Sequence, residues 1–333
     1  MTQILQTEQA LLHWINSSTQ FRCQKIEMIF GDASFRRYFR FWDETSNTSI
    51  IAVDAPPEFE DSTKFVNLAQ ALLQHHVVVP KVLAHNAKDG FYCLQDFGDR
   101  QFSQALRSDN IATLYAQALT QIPAIQSCTS VNGHSLPLYD DELLEKEKYI
   151  FTHWLIDVHL NIKLSKSQQA MLDKAYDFLH QVFKSQPQVG VHRDFHSRNL
   201  MILSNDDIGV IDFQDAVIGP ITYDAVSLLR DCYCKWPQQQ ITSILQQFHQ
   251  QFYAQYKWQD FLFWFDCAGL QRHLKASGIF CRLFYRDGKD GYFNDIPRTL
   301  EYILEVGKHY AELSELIAFI QTSVKPRLLE KTK

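Results

Sequence analysis

The sequence predicts an α+β chain of two lobes, a small antiparallel, strand-rich N-lobe over residues 1–97 and a larger helical C-lobe over 98–333. Three observations predict it. Before residue 98 the apolar residues mostly alternate or form short buried runs, the pattern of strands. Beyond it they recur at three- and four-residue spacing, the pattern of helices. Within that second part, between apolar segments, lies a polar loop holding His192, Asp194, His196 and Asn199.

In chain order, residues 4–17 place Ile4, Leu11, Leu12, Trp14 and Ile15 on one helical stripe. Residues 26–30 and 37–41 alternate or carry aromatics, and 50–53 form a short buried strand. Pro56 and Pro57 end that strand, since proline has no N–H for the ladder. Phe65, Leu68, Leu72 and Leu73 give residues 65–75 a helical face, and 77–83 and 91–94 read as two more strands. Helices are expected over 103–127, 142–160, 166–185, 238–256 and 297–322, with the aromatic-rich stretch 252–265 reading as core. The tail from Lys325 onward is basic.

A chain of 333 residues can bury a large core, and 46% hydrophobic with 21% charged residues is ordinary for a soluble globular protein. The net charge of -6 argues against a nucleic-acid partner. No apolar run reaches the roughly 18 residues of a membrane span, and the N-terminus lacks the layout of a signal peptide. A cytoplasmic protein is expected, with no membrane association and no obligate protein partner evident. Seven scattered cysteines fit a reducing compartment, and the close pair Cys232 and Cys234 lacks partners at zinc-like spacing.

His192, Asp194 and Asn199 follow the spacing H-R-D-x4-N, and Asp212 and Phe213 follow the apolar run 208–211. This is the catalytic-loop pattern of kinase-fold phosphotransferases. Transfer from ATP needs a carboxylate aligned with the acceptor hydroxyl and oxygen ligands for Mg²⁺ on the phosphates. Asp194 is the candidate base. Asn199 and Asp212 are the candidate metal and nucleotide-phosphate ligands, and His192 orders the loop by hydrogen bonding. Two other readings stand beside this one. The loop could be a chance polar turn, or His192, Asp194, His196 and Asp212 could form a metallohydrolase site, which leaves Asn199 and the two-lobe layout unused.

His192, Asp194 and Asn199, with Asp212, Asp215, Gly219, Pro220 and Asp224, resemble the motifs of the aminoglycoside phosphotransferase and choline kinase superfamily, whose fold is protein-kinase-like. The resemblance implies ATP and Mg²⁺ as cofactors, a metal aspartate at Asp212, and a structural brace of the catalytic loop at Asp224. Residues 31–40, 54–57, 191–201, 212–216, 222–224, 227–231 and 270–280 are similar, more narrowly, to bacterial anomeric sugar kinases. That likeness runs from about residue 10 to about 320. It implies a small-molecule amino-sugar substrate, phosphorylated at the anomeric hydroxyl of N-acetylmuramate or N-acetylglucosamine in cell-wall recycling.

Two features depart from the wider kinase pattern. No G-x-G-x-x-G loop is present, so backbone N–H groups through Ser34 and Phe35 and the Ser34 hydroxyl are the candidate phosphate cap, against an ordinary turn. The strand 50–53 carries no lysine, and Asp54 stands near its place. Arg36, Arg37 and Arg40 are candidate replacement cations, with Arg37 favoured. Alternation sends Arg36 and Arg40 to one side and Arg37 and Phe39 to the other.

By resemblance the backbones of Gln95 and Phe97 contact adenine. Arg230, Asp231, Arg272 and Lys275 are candidate acceptor-binding residues, against solvated or ion-paired helix positions. Aminoglycoside or choline/ethanolamine kinase activity is the same-fold alternative, although choline requires an anionic or aromatic cage. A catalytically weak nucleotide-binding regulatory protein is another. No Ala-Pro-Glu segment follows Asp212, which speaks against a protein kinase.

Overall fold

A computed structural model describes residues 2–31 and 35–331. Ser34, expected in the phosphate cap, lies outside the described residues. The chain divides into two compact units. The first comprises Met1–Gln104, Ser130–Ser135 and Asn199–Gln214, and the second Ala105–Thr129, Leu136–Arg198 and Asp215–Lys333. The expected α+β architecture, a small antiparallel sheet with a larger helical part, is observed.

The first unit contains α1 (Thr2–Ser18), β1 (Glu27–Gly31), β2 (Arg37–Asp43), β3 (Thr48–Asp54), α2 (Ser62–Gln74), β4 (Val82–Asn86) and β5 (Phe91–Gln95). The strands form one antiparallel sheet in the order β1-β2-β3-β5-β4. β3 is central, which explains its unbroken apolar run: Ile50, Ile51, Ala52 and Val53 are all buried because both faces of the strand are covered. On one face Phe39, Phe41, Ile50, Ala52, Phe91 and Cys93 pack on Leu11, Trp14 and Ile15 of α1. On the other, Phe65 of α2 stacks on Tyr92 of β5 with ring centroids 5.0 Å apart. α2 is started by Asp61, whose carboxylate accepts the N–H groups of Thr63 and Lys64.

The strand expected over 77–83 begins only at Val82. Pro80 has no N–H to offer a ladder, and the Val78 carbonyl accepts instead from Val210 at 2.7 Å. A second bond runs from the Ile202 N–H to the Arg100 carbonyl at 2.8 Å. These bonds tie the hairpin of Leu200–Ile202 and Ile208–Val210 to the end of the sheet-bearing segment, and so draw residues 199–214 into the first unit.

The second unit is organised around the helix Trp258–Asp287, which packs against Ile150–His159, Lys166–Ser185, Tyr223–Leu229 and Ile296–Gly307. That helix has no stripe to read, because Gln271, Arg272, His273, Lys275 and Ser277 are buried along with its apolar residues. A Cβ on Gly278 would stand 2.3 Å from the Ile150 carbonyl oxygen, so the absence of a side chain is what lets the two helices approach. Of the aromatic stretch, Tyr253, Phe261 and Phe265 are buried in the core, while Phe252, Tyr256, Trp258, Phe263 and Trp264 are half-buried.

Two expected helices are interrupted. Residues 103–127 split at Asn110, whose side chain accepts from the Arg107 N–H and donates to the Ala105 carbonyl. The 297–322 segment stops at Gly307 and resumes at Ser314–Phe319, where the chain folds back and Gly307 faces Ile317. Among the described residues no helix is long and apolar enough to cross a membrane. All seven cysteines lie among the described residues, and no disulfide joins any two of them.

Candidate active site

In the first unit the Ile211 N–H donates to the Asn199 carbonyl at 3.0 Å, closing the hairpin just before Asp212. The Asn199 amide then donates to one Asp212 oxygen at 3.2 Å, and the Gln214 amide to the other at 2.7 Å. Asp212 adopts φ +63°, a left-handed conformation that aspartate tolerates better than most residues. The next residue locks it: Phe213 is buried and stacks on Phe65 of α2 with centroids 4.8 Å apart. A carboxylate beside an amide is the oxygen-donor chemistry that a hard divalent cation takes. The predicted metal pair is therefore adjacent in the fold.

The connector after β5 is close by in the same unit. Phe97 lies over Gly209, where a Cβ would come within 2.5 Å of its ring. The Gln95 N–H donates to the Lys81 carbonyl at 2.9 Å, so any adenine contact from Gln95 falls to other atoms of that residue. Phe35 is exposed and stacks on Phe59 with centroids 4.2 Å apart. The three candidate arginines are all engaged. Arg37 pairs with Asp54 at 2.8 Å and borders a cavity of about 730 Å³ with His13, Trp14 and Lys88. It points with Phe39 and Phe41 toward α1, the face opposite Tyr92 and Phe65. Arg40 spans Asp96 and Asp99, each at 2.7 Å, and Arg36 pairs with Glu60 at 2.8 Å.

In the second unit Asp224 accepts the backbone N–H groups of His192 at 2.8 Å and Arg193 at 3.1 Å, at the start of the polar loop. Arg193 sits at φ +74°, a turn that needs such an anchor. His192 is buried and its Nδ1 accepts the Asp194 N–H at 3.2 Å, a bond within the loop. Asp231 accepts the Ser197 and Tyr233 N–H groups, both at 2.9 Å.

Burial alone would raise the Asp194 carboxyl, but Lys275, with Arg272 and Arg193 behind it, outweighs that and holds it below the usual carboxylate range. Lys275 and Arg272 are buried on the Trp258–Asp287 helix. The Lys275 ammonium donates to the Tyr223 hydroxyl at 2.9 Å and lies 3.4 Å from Glu147. Arg272 donates to the Cys232 sulfur at 3.3 Å. Arg230 is not in this group: it pairs with Asp266 at 2.7 Å and borders a separate cavity of about 640 Å³ with Trp236 and Tyr310.

The sequence reading missed Glu147. It is buried, within 3.6 Å of Arg193 and 3.4 Å of Lys275, and receives hydrogen bonds from Tyr139 and Gln271. Its neighbours Glu145, Lys146 and Lys148 give the segment the look of a solvated helix face, and only the tertiary fold singles it out. Among the described residues no three His, Cys, Asp or Glu side chains converge as a metal-ligand set.

Burial pushes the Asp224 carboxyl up to about 6, against the His192 and Arg193 donors that pull it down. A carboxylate whose folded value is raised adds stability below its ordinary value of 3.8 and loses it as pH rises through about 6. The ionised form is also the one that anchors both N–H groups. Activity is therefore expected to fall as pH drops through about 6. In urea unfolding, Asp224→Asn should become more stable relative to the parent as pH rises from 4 to 6. A pH-independent difference contradicts this assignment.

Residues 25–259 match the model of the phosphotransferase enzyme family. The N-acetylmuramate/N-acetylglucosamine kinase of Pseudomonas aeruginosa is 38% identical over 295 residues, 86% of this chain and 85% of that protein. The protein of the same name from Neisseria meningitidis serogroup B is 35% identical over 335 residues, 98% of each chain. Among solved structures, choline kinase LicA from Streptococcus pneumoniae superposes with a TM-score of 0.61 at 12% identity, over 90% of this chain and 99% of that one. That likeness shows the expected protein-kinase-like fold. The match over residues 25–259, together with these relatives, establishes that the chain belongs to the phosphotransferase enzyme family.

Proposed function

We propose that the chain is an ATP-dependent kinase that phosphorylates the anomeric hydroxyl of N-acetylmuramate and N-acetylglucosamine in the cytoplasm. The observation that carries this reading is Asp194: a carboxylate kept ionised by Lys275, Arg272 and Arg193, on a loop whose backbone Asp224 and Asp231 hold. The sugar follows from the names of the relatives. Asp194 orients the acceptor hydroxyl and takes its proton; an anomeric hydroxyl is more acidic than an ordinary alcohol, so the transfer can be late. His192 and Asp224 fix the loop. Asn199 and Asp212 would hold Mg²⁺, which supplies charge neutralisation on the phosphates when bound.

The surroundings of Asp194 favour this acceptor over the same-fold alternatives. Aminoglycosides and choline are cations, whereas Arg272, Lys275 and Arg193 make the neighbourhood of Asp194 positive. A lactyl carboxylate, present in N-acetylmuramate and absent from N-acetylglucosamine, suits that charge. Arg272→Met is accordingly expected to raise KM for N-acetylmuramate about 10-fold, the low end for losing a charged hydrogen bond, and to raise KM for N-acetylglucosamine far less. Steady-state kinetics with both sugars checks it; equal effects on the two sugars would remove Arg272 from carboxylate recognition.

A further inference from the structure

The lysine that contacts nucleotide phosphates in kinase-type phosphotransferases, paired with a glutamate, has no counterpart on β3. At its place Asp54 is occupied by Arg37. Resting on the reading that the chain uses ATP, we infer that Arg36, clamped by Glu60, is the cation that meets the nucleotide phosphates.

Position separates the three arginines. Arg37 faces α1 with Phe39 and Phe41, and Asp54 neutralises it there. Arg40 ties β2 to the connector through Asp96 and Asp99. Arg36 lies on the opposite face from Arg37, buried, with its guanidinium carbon 5.6 Å from the centre of the Phe65 ring. Phe65 stacks on Phe213, and Phe213 follows Asp212. A continuous packed series thus links Arg36 to the metal-ligand aspartate within one unit. Arg36 also directly follows Phe35, at the end of the segment expected to cap the phosphates.

The Arg36–Glu60 pair reproduces the lysine–glutamate charge pair with the cation moved from β3 to the approach of β2. Glu60 immediately precedes Asp61, the cap of α2, so the helix start fixes the backbone from which its carboxylate reaches Arg36. An arginine suits this relocation. It stays charged at any working pH, and its planar fork of five N–H donors can serve a carboxylate and a phosphate together.

The test is calorimetric binding of ADP and of AMP, each with Mg²⁺, to the parent, Arg36→Gln, Arg36→Lys and Arg37→Gln proteins. Arg36→Gln is expected to weaken ADP binding about 10-fold or more, as for a lost charge-assisted bond, while AMP affinity changes little. Arg36→Lys should recover part of the loss, and Arg37→Gln should leave the ADP-to-AMP ratio as in the parent. A structural role would lower both affinities together, so an unchanged ratio in the Arg36 variants overturns the inference. A larger ratio change in Arg37→Gln does so as well. Should Arg36→Gln fail to fold, Arg36→Lys carries the same comparison. A parent protein that binds no ADP defeats the underlying reading instead, and one that binds ADP without phosphorylating the sugars defeats only the acceptor assignment.

Discussion

Asp194→Asn is expected to keep the fold and nucleotide binding and to lose about 10²- to 10⁴-fold in kcat, the range that general-base catalysis contributes. Asparagine has nearly the shape of aspartate, and the loop N–H groups that Asp224 and Asp231 accept are untouched by the change. Only the ability to take a proton goes. The loss should therefore appear in kcat and kcat/KM together, with KM for the sugar little altered. Steady-state kinetics of the variant reads this directly. A variant with unchanged kcat and raised KM would make Asp194 a binding group.

Glu147→Ala should be the most destabilising single change in the second unit, by roughly 3–5 kcal/mol, the cost of stripping the partner from a buried charge. Glu147 is 2% exposed and stands between Arg193, which is half-buried, and Lys275, which is buried. Removing it leaves two cations facing each other next to Asp194, along with a Tyr139 hydroxyl that has lost its acceptor. The urea midpoint should fall sharply while the m-value holds. A variant as stable as the parent would show that the cations rearrange to solvent without cost.

The polar loop was legible because His192, Asp194 and Asn199 stand at a fixed spacing and Asp212 follows an apolar run, and the fold brings the Asn199 amide to the Asp212 carboxylate. The strands were legible where one face is covered and the other is not, as in β2 with Phe39 and Phe41 turned inward. The Trp258–Asp287 helix was not, because its central residues are buried on all sides and polar where they surround Asp194. No amphipathic stripe survives in such a segment. Alternation correctly separated Arg37 from Arg36, but could not say which face carried α1 and which carried Phe65 and Phe213. That choice is tertiary, and no strand pattern carries it. Arg230 and Lys275 looked equivalent in the sequence, yet Asp266 draws Arg230 to a different cavity.

The central claim, phosphoryl transfer to an anomeric hydroxyl, is tested most directly by incubating the protein with ATP, Mg²⁺ and each N-acetylated sugar and examining the product by ³¹P NMR. The account predicts a new phosphomonoester whose phosphorus couples to the anomeric proton, with N-acetylmuramate and with N-acetylglucosamine, formed about 10²- to 10⁴-fold more slowly by Asp194→Asn. Phosphate on another hydroxyl, or transfer to choline or an aminoglycoside with neither sugar consumed, would contradict it.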